Sequence, residues 1–522
     1  MNRKLIFLVI ALVFVFAHVL EVPAAPIKQP KKTAPKEQPK MGGTLTVGLA
    51  KETGNPNPFI QTQSTTQYVR ETSYESLLIL DADEKIIPNL AEKYEVSAGG
   101  TQFTLRLRKG VKFHNGREMK ADDVIWSANY VKDPKNGAYG QNIIKDVKAV
   151  DKIDDYTVKF TLSKPSTTFL YHLSYIRMLP IVPANSLRPG QIKLEPNTFV
   201  PGTGAFVLEQ YQTGFGTVIR KFPEYWGPPA YVDKIFFRPI PDGANRFNAL
   251  RTGDVMMADR LSPLDAARVM KGEIKGLKIL EEPMGGYQHL IVNYDNPFLR
   301  KLEMRQALLY ATDQQRLIDE AYFGAATKAE IMMDPKGIWA KAANLPPHKR
   351  DLAKAKALLK AAGYNGQELV LIGRKSAAQY LESYQRMFSE AGINVKIEIL
   401  EDGVMRDRAT QGKYDLFTTG ADATPDPVTT MMTYYYTNPV EKGTYSSPKV
   451  DRLLDNLNAE FDQKKRLKIF QELAWTIHND VADIPLFFET RYFGMSEKTQ
   501  GYPPPGYDTS ANGNFFKHAW IK

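Results

Sequence analysis

Residues that could carry out chemistry are present in this 522-residue chain, but their spacing matches no known catalytic arrangement. The chain has no cysteine, which excludes disulfides, thiolate metal sites and a cysteine nucleophile. Its seven histidines are scattered, and no pair has the spacing of metal ligands. There is no phosphate-binding loop, no GxGxxG motif after a strand and no GxSxG nucleophile turn. We therefore expect a protein that is not an enzyme and that needs no metal or cofactor.

One acidic residue stands out by its position. Asp422 follows an apolar run at 414–420, within the stretch TTGADATPDP, and two prolines turn the chain soon after it. A carboxylate at this place can accept hydrogen bonds from the N–H groups of the turn. It can also face a ligand at the end of the strand. The residue types alone leave both roles open.

The composition is that of an ordinary globular protein, with 43% hydrophobic and 24% charged residues. A chain of this length is too long for a single hydrophobic core, so we expect two to four domains. The net charge is +10, but residues 1–41 hold seven Lys or Arg against two Glu, which is half of that charge. Because no basic stripe remains in the rest of the chain, nucleic-acid binding is not expected.

Residues 1–24 are typical of a secretory signal peptide. A basic start precedes an apolar run at 5–17, and small residues suit cleavage after Ala24. The run is shorter than the ~20 residues needed to span a bilayer, which disfavours the alternative of an uncleaved anchor. Residues 25–41 are rich in Lys and Pro and predict an extended or disordered tether. Because no cysteine can carry a lipid, we expect a soluble periplasmic protein and not a lipoprotein.

The first half of the folded part shows alternating apolar residues, which favour antiparallel strands with one buried face. The clearest examples lie at 42–50, 101–113 and 154–163. Between the last two, a helical pattern begins near Asp122, which we expect to cap the helix. This half is therefore expected to be rich in antiparallel sheet.

From about residue 285 helices and strands alternate, which indicates an α/β region with crossover connections. Buried strands are expected at 368–373, 393–400 and 414–420. Three aspartates precede helical patterns and are expected to cap them, namely Asp313, Asp351 and Asp462.

The C-terminal stretch predicts one more strand followed by a loop. If this stretch returns to the first half, two segments cross between the halves, near 281–285 and near 488–491. The two halves would then be lobes joined by two hinge segments.

Several segments, taken in order, resemble the family 5 extracellular solute-binding proteins of ABC importers, the dipeptide- and oligopeptide-binding group. The resemblance extends from Gly42 to Lys522 and is carried by residues 74–128, 202–255, 304–318, 355–364, 414–427 and 482–489. It implies a monomeric α/β protein with the two-lobed periplasmic-binding fold, class II-like, of the large cluster that has an extra subdomain in lobe I. It also implies closure of the lobes around a ligand and docking on an ABC permease in the inner membrane.

The resemblance implies these domain boundaries: lobe I at 42–283 with an inserted subdomain at about 76–180, lobe II at 284–488, and a return to lobe I at 489–522. It also implies roles for individual residues. Asp422 would bind the α-ammonium of a peptide, because a buried ammonium needs an acceptor-only partner.

The backbone of Thr418 and Gly420 would pair with an extended peptide. Arg374, directly after the strand at 368–373, would form a forked pair with the ligand carboxylate. The alternative for Arg374 is a surface charge that meets only solvent.

Three further residues are candidates for ligand contact. Glu52 and Thr53 follow the first strand and would face the cleft by analogy with the family. Tyr434 lies in the aromatic cluster at 431–438, whose alternative role is packing in a core or between the lobes. The expected ligand is a short peptide, and the alternatives are a nickel complex, haem, an opine, glutathione or an oligosaccharide.

Two other classes of function stay open at this point. An exported hydrolase whose catalytic groups meet only in the folded chain would leave no motif in the sequence. A scaffold or sensor subunit could keep the fold and signal through a membrane partner.

Overall fold

The computed structural model describes residues 38–60, 65–81, 85–97, 99–195, 197–421, 426–437, 442–501 and 515–522. The compact unit of the chain runs from Pro39 to Lys522. The predicted signal peptide, most of the tether and Asp422 lie outside the described residues.

The strands in the described part of the chain are mostly short, apart from two long ones. They are β1 (Thr44–Leu49), β2 (Leu78–Leu80), β3 (Ile86–Pro88), β4 (Ala91–Val96), β5 (Gln102–Leu107), β6 (Val147–Asp154), β7 (Thr157–Leu162), β8 (Phe206–Gln212), β9 (Gly216–Lys221), β10 (Lys234–Pro239), β11 (Met257–Ala258), β12 (Leu277–Val292), β13 (Ala326–Lys328), β14 (Leu369–Arg374), β15 (Val395–Leu400), β16 (Leu416–Ala421), β17 (Asp483–Ser496), β18 (Thr499–Gln500) and β19 (Trp520–Ile521).

The helices become more frequent towards the C-terminus. They are α1 (Thr66–Ser73), α2 (Ala121–Lys132), α3 (Gln141–Ile144), α4 (Thr168–Ser174), α5 (Gly243–Thr252), α6 (Pro263–Met270), α7 (Leu302–Ala311), α8 (Gln314–Tyr322), α9 (Ile338–Ala343), α10 (Leu352–Ala362), α11 (Ala378–Ala391), α12 (Asp402–Thr410), α13 (Pro427–Tyr435), α14 (Pro448–Ala459) and α15 (Gln463–Asp480). None of the helices in the described ranges is both long and apolar enough to cross a membrane.

One mixed sheet runs through the molecule in the order β15-β14-β16-β12-β17-β11-β1-β10-β9-β8, with β13 beside β17. The antiparallel pair β12 and β17 occupies its middle, and the register shifts between Glu282 and Gly286. Leu280 and Met495 pack in the core around β1, whereas Leu290 and Ile484 pack in the core around β14. These two strands therefore connect the two halves of the sheet, and both predicted crossing segments lie in them.

A separate antiparallel sheet, in the order β4-β5-β7-β6, belongs to the first half of the chain. Its apolar face is fully buried, as the alternation predicted, with Phe103, Leu105, Val158 and Phe160 each 0% exposed. Helices α2 and α4 cover that face through residues such as Val124 and Phe169 in the same core. The helix α4 is therefore held firmly against this sheet, which matters for the site below.

The second half has the predicted helix–strand alternation. Strands β15, β14 and β16 lie side by side, and the pairs β14–β15 and β14–β16 are parallel. The three predicted caps are confirmed, because the carboxylates of Asp313, Asp351 and Asp462 each accept a hydrogen bond from a backbone N–H in the first turn of α8, α10 and α15. Short polar residues before an apolar period thus set where these helices begin.

The cap predicted for α2 is wrong, because Lys120 occupies the N-cap position and Asp122 lies inside the first turn. Asp123, not Asp122, accepts a hydrogen bond of 2.8 Å from the backbone N–H of Lys120. Asp123 is fully buried and forms an ion pair with Arg117, whereas the carboxylate of Asp122 pairs with Lys152 at the surface. Adjacent aspartates are equivalent in sequence, and the tertiary partner Arg117 decides between them.

Candidate functional site

The site begins at strand β16, which has a sheet partner along only part of one edge. Its whole length pairs with β12, from Leu416 opposite Val292 to Ala421 opposite Tyr287. On the other edge, β14 pairs with it only at Leu416 and Phe417. In the described structure, the stretch from Thr418 to Ala421 therefore has a strand neighbour on one side only. Backbone groups on the open side are available to another extended chain.

Strand β14 diverges from β16 just where the open edge begins. Gly373 and Arg374 are the last residues of β14, and a short 3-10 helix at Lys375–Ala377 follows. A Cβ atom on Gly373 would lie 2.8 Å from the Thr418 hydroxyl oxygen and 2.6 Å from a methyl group of Leu381. Only glycine fits there, so this position keeps the two strands close up to the point where they separate.

A cavity of about 270 Å³ lies beside the end of β16. One wall comes from the second half of the chain and includes Gly420, Ala421 and Tyr434. The other wall comes from the first half and includes Tyr171 and Tyr175. Concave sites with aromatic walls and a few polar groups are typical of small-molecule binding.

Tyr434 is held in place from two directions. Its hydroxyl donates a hydrogen bond of 3.3 Å to the carbonyl of Gly420. Its ring meets the ring of His289 edge-on, with 4.8 Å between the centroids. The Nδ1 atom of His289 lies 2.6 Å from the carboxylate of Asp483, and both of these side chains are buried. Tyr434 therefore links the end of β16 to a polar pair beneath the cavity wall.

Asp426 is the acid that lines the described cavity. It is 1% exposed, forms a 2.6 Å ion pair with Arg466 and accepts a hydrogen bond from the backbone N–H of Val428 at the start of α13. Its charge is therefore matched within the protein. The sequence signal for this role was present in Asp426-Pro427, since Asp before Pro often starts a helix.

Arg374 lies at the carboxyl end of β14 and is half-buried. Within the described ranges, no carboxylate forms an ion pair with its guanidinium. Arg374 also influences the pKa of the Tyr380 phenol. Burial raises that pKa, whereas the Thr418 hydroxyl and the positive charge of Arg374 lower it. Arg374 is close to the open edge of β16 but is not among the residues that line the cavity.

Glu52 and Thr53 lie elsewhere, and their polar groups have partners in the first half of the chain. The carboxylate of Glu52 accepts a 2.8 Å hydrogen bond from the backbone N–H of Gly214. The hydroxyl of Thr53 lies 2.5 Å from that of Thr217, and Thr53 is 4% exposed. Neither residue lines the cavity beside β16.

Thr418 is also absent from the cavity lining, because its side chain is buried inside the sheet. The predicted site residues thus fall into three places. Gly420 and Tyr434 line the cavity, Thr418 begins the open edge with Arg374 near it, and Glu52 and Thr53 form internal bonds. Nothing in the described structure bears on Asp422.

The cavity wall from the first half was not predicted. The guanidinium of Arg177 lies 5.6 Å from the ring centroids of both Tyr139 and Tyr175, an arrangement favourable for cation–π contact. His172 spans the two walls, since its Nε2 atom lies 3.1 Å from the Thr429 hydroxyl. Burial lowers the pKa of His172 to about 3, so its imidazole is neutral at pH 7. No local pattern marks these residues, because the wall exists only once α4 faces α13.

The described side chains offer no site for a metal ion: no three His, Asp or Glu residues among them come close enough together. The polar groups around the cavity are instead hydroxyls, backbone groups, the imidazole of His172, one matched carboxylate and arginine. Such a set suits an organic solute better than a bare ion.

The comparisons with known proteins agree with this arrangement. The profile of the bacterial extracellular solute-binding proteins, family 5 Middle, matches residues 85–442. The dipeptide-binding protein of Escherichia coli K12 is 28% identical over 454 residues, which cover 80% of this chain and 84% of that protein. The glutathione-binding protein GsiB of Pectobacterium atrosepticum is 30% identical over 471 residues, with 85% and 88% covered.

A solved structure shows the same fold. The periplasmic binding protein AgaA of Agrobacterium tumefaciens R10, in complex with agropinic acid, superposes with a TM-score of 0.79 at 27% identity, and the match covers 92% of this chain and 99% of that one. The predicted α/β, two-lobed periplasmic-binding fold is therefore confirmed. The chain belongs to the family 5 bacterial extracellular solute-binding proteins.

Proposed function

We propose that this protein is the substrate-binding component of an ABC importer, that it captures short peptides when its lobes close around them, and that it delivers them to a permease in the inner membrane. The observation that carries the proposal is the open edge of β16 from Thr418 to Ala421, directly beside the cavity. An extended peptide backbone satisfies such an edge with main-chain hydrogen bonds and leaves its side chains for the cavity walls.

Arg374 and Asp422 complete the proposed site. The guanidinium of Arg374 stands at the end of the open edge without an ion-pair partner in the described structure, so it is available for a ligand carboxylate. Asp422 would take the ligand ammonium, a proposal that rests on the family resemblance and on its place one residue after β16. A peptide with free termini provides both charges.

The lobe boundaries belong to the same proposal. Lobe I would comprise 42–283 and 489–522, with the inserted subdomain at about 76–180, and lobe II would comprise 284–488. The long pair β12 and β17, whose residues enter the cores on both sides, supports hinges in these two strands. The cavity walls, which come from opposite halves of the chain, would separate when the lobes open.

The cellular setting is proposed from the sequence. The signal peptide would direct the chain to the periplasm as a soluble monomer, and no catalytic activity is expected. Delivery to a permease would follow closure, because closure changes the surface that the two lobes present together.

A second candidate ligand class is favoured by the names of the similar proteins. One relative binds glutathione, and one solved structure holds agropinic acid. Both solutes contain a unit derived from an amino acid and carry a carboxylate, which the arginines near the cavity would suit. They are therefore included in the test below.

The proposal is tested by thermal unfolding of the secreted chain with di-, tri- and pentaalanine, glutathione and nickel–histidine. A peptide present at 100 times its dissociation constant adds about 2.7 kcal/mol to the free energy of unfolding. We expect stabilisation by at least one peptide. Stabilisation by another solute alone would refute the peptide assignment.

The role of Arg374 has its own control. Arg374→Met should weaken binding of a peptide with a free carboxylate and leave binding of its C-terminal amide unchanged. Arg386→Met, which removes an exposed arginine paired with Glu320, serves as the matched variant and should change neither. Equal loss for both peptides would contradict a direct contact between Arg374 and the ligand carboxylate.

A further inference from the structure

Asn458, at the end of α14, joins parts of the protein that are far apart in sequence. It is 7% exposed and contacts Ser166, Thr167 and Thr168 at the start of α4. The backbone carbonyl of Asn458 accepts a 2.8 Å hydrogen bond from the N–H of Thr167. Its Oδ1 atom accepts from the Thr168 hydroxyl at 3.2 Å, from the Ser166 hydroxyl at 3.3 Å and from the Thr168 N–H at 3.4 Å.

The geometry defines which way the amide of Asn458 points. The backbone N–H of Thr168 can only donate, so the side-chain atom facing it must be the carbonyl oxygen. This oxygen has two lone pairs, and three donors from Ser166 and Thr168 lie within hydrogen-bond distance of it. The side chain of Asn458 therefore satisfies donors at the start of α4.

A second contact lies beside the first. Phe461 is 44% exposed, yet its ring packs directly on Gly100, in the turn between β4 and β5. A Cβ atom on Gly100 would overlap this ring, and Gly100 has φ +61. Gly100 also accepts a 3.3 Å hydrogen bond from the N–H of Ser166, which places the turn and the start of α4 on one surface.

These contacts join the same two walls that enclose the cavity. The helix α4 provides Tyr171 and His172 to one wall, and α13 provides Thr429 and Tyr434 to the other. The walls also meet at the bond between His172 and Thr429. Neither Asn458 nor Phe461 lines the cavity. Opening the cavity by moving the walls apart would break the contacts of both residues.

We propose that Asn458 and Phe461 form a closure latch, which stabilises the closed arrangement and thereby raises ligand affinity without touching the ligand. This inference rests on the proposed function only for the closing motion, not for the identity of the ligand. A ligand that binds one of two states has an apparent dissociation constant inversely proportional to the populated fraction of that state. The latch sets that fraction.

The latch predicts that the ligand-free protein already populates the closed arrangement. Spin labels at Lys164→Cys and Lys464→Cys, two exposed positions on either side of the latch, report the distance by pulsed electron resonance. The chain has no other cysteine, so labelling is specific. We expect a population with a short distance without ligand, and its loss in Asn458→Ala and in Phe461→Ser.

Asn456→Ala is the matched control, since Asn456 is exposed on the same helix and should leave the distances unchanged. Asn458 is buried, so Asn458→Ala could fold poorly, and circular dichroism would detect this. Phe461→Ser changes an exposed ring instead and therefore tests the latch independently of such a defect. Ligand-free protein that shows only long distances would overturn the latch. So would Asn458→Ala and Phe461→Ser variants that keep the native distances.

A disulfide tests the effect on affinity. Thr167→Cys with Asn458→Cys places thiols on two residues whose native side-chain oxygens lie 3.5 Å apart. Trialanine bound before oxidation should then dissociate at least tenfold more slowly, whereas Asn458→Ala should weaken its binding about tenfold. Unchanged trialanine binding in Asn458→Ala would overturn the latch. If trialanine does not bind the native protein either, the peptide proposal fails, and the spin-label distances still decide on the latch.

Discussion

Two regions were expected to contact the ligand, and they differ in whether their hydrogen-bonding groups already have partners within the protein. The stretch 418–421 and the pair Glu52 and Thr53 both lie at or after the end of a strand. The first has an open backbone edge beside a cavity, whereas the polar groups of the second bond to Gly214 and Thr217. A group at the end of a strand is available to a ligand only where the protein itself leaves its hydrogen bonds unmet.

The largest effect on ligand affinity is expected at Gly420, which lines the cavity on β16 and has no room for a side chain, so that any side chain would displace the open edge. A Cβ atom there would lie 2.7 Å from the Gln288 side-chain nitrogen and 3.2 Å from the Tyr287 carbonyl oxygen. Gly420→Val should therefore lower trialanine affinity by about a hundredfold or more, roughly 2.7 kcal/mol. Isothermal titration measures this.

The control for Gly420 is Gly403→Val, because a Cβ atom on Gly403 meets nothing within 4 Å. That variant should bind trialanine with native affinity. Native affinity in Gly420→Val would instead mean that the open edge of β16 is not used by the ligand.

A pH effect on stability should arise at His114, another residue of the first half of the chain whose polar groups bond within the protein. The Nδ1 atom of His114 accepts from the N–H of Gly202, and its Nε2–H donates to the carbonyl of Gly204, so the ring must be neutral. Burial lowers the pKa of His114 to about 4. Between about pH 6.5 and 4, His114 binds a proton in the unfolded chain but stays neutral in the folded chain. The free energy of unfolding therefore falls by up to about 3 kcal/mol as the pH is lowered through this range.

Urea unfolding at pH 7.5, 6 and 4.5 measures this loss. His114→Gln, which can keep both hydrogen bonds, should flatten the pH dependence while trialanine affinity at pH 7.5 stays native. An unchanged slope in that variant would assign the loss to other groups, such as His172, whose pKa burial lowers to about 3.

A smaller effect is expected from substitution of Thr53, which should change the free energy of unfolding and leave ligand affinity unchanged. Thr53→Val leaves the Thr217 hydroxyl without its partner and should lower the free energy of unfolding by about 1–2 kcal/mol. The double variant Thr53→Val, Thr217→Val removes both hydroxyls and should recover most of that loss. A hundredfold loss of trialanine affinity in either would place Thr53 in the ligand site after all.

The smallest effect is expected at Glu52. Glu52→Gln keeps an oxygen that can accept from the Gly214 N–H and removes only the charge. The free energy of unfolding should change by less than about 1 kcal/mol. Trialanine affinity should stay within about twofold of native, and a larger change measured by titration would contradict the assignment of Glu52 to the region with internal bonds.

The positions of helices and strands were predictable where signals within a few residues of sequence determine them. Alternation predicted β5 and β7 with their buried faces, and Asp351 predicted the start of α10, because period and capping act over a few residues. The choice between Asp122 and Asp123 was not predictable, since it depends on Arg117 as an ion-pair partner.

The candidate site was predictable only in part for the same reason. The residues of β16 were predicted through the order of family segments along the chain, and Tyr434 was predicted from the aromatic cluster at 431–438. The wall with Tyr171 and Tyr175 has no local signal, because it becomes a wall only when α4 packs opposite α13. The open edge of β16 likewise depends on where β14 ends, which sequence periodicity places only to within a few residues.

The central claim is that a ligand backbone occupies the open edge of β16, and hydrogen exchange with and without saturating trialanine tests it most directly. Exchange of the amides in 418–421 should slow when the peptide is bound, because its backbone would cover that edge, while those of 52–57 should exchange at the native rate. Unchanged exchange at 418–421 together with protection at 52–57 would contradict the account.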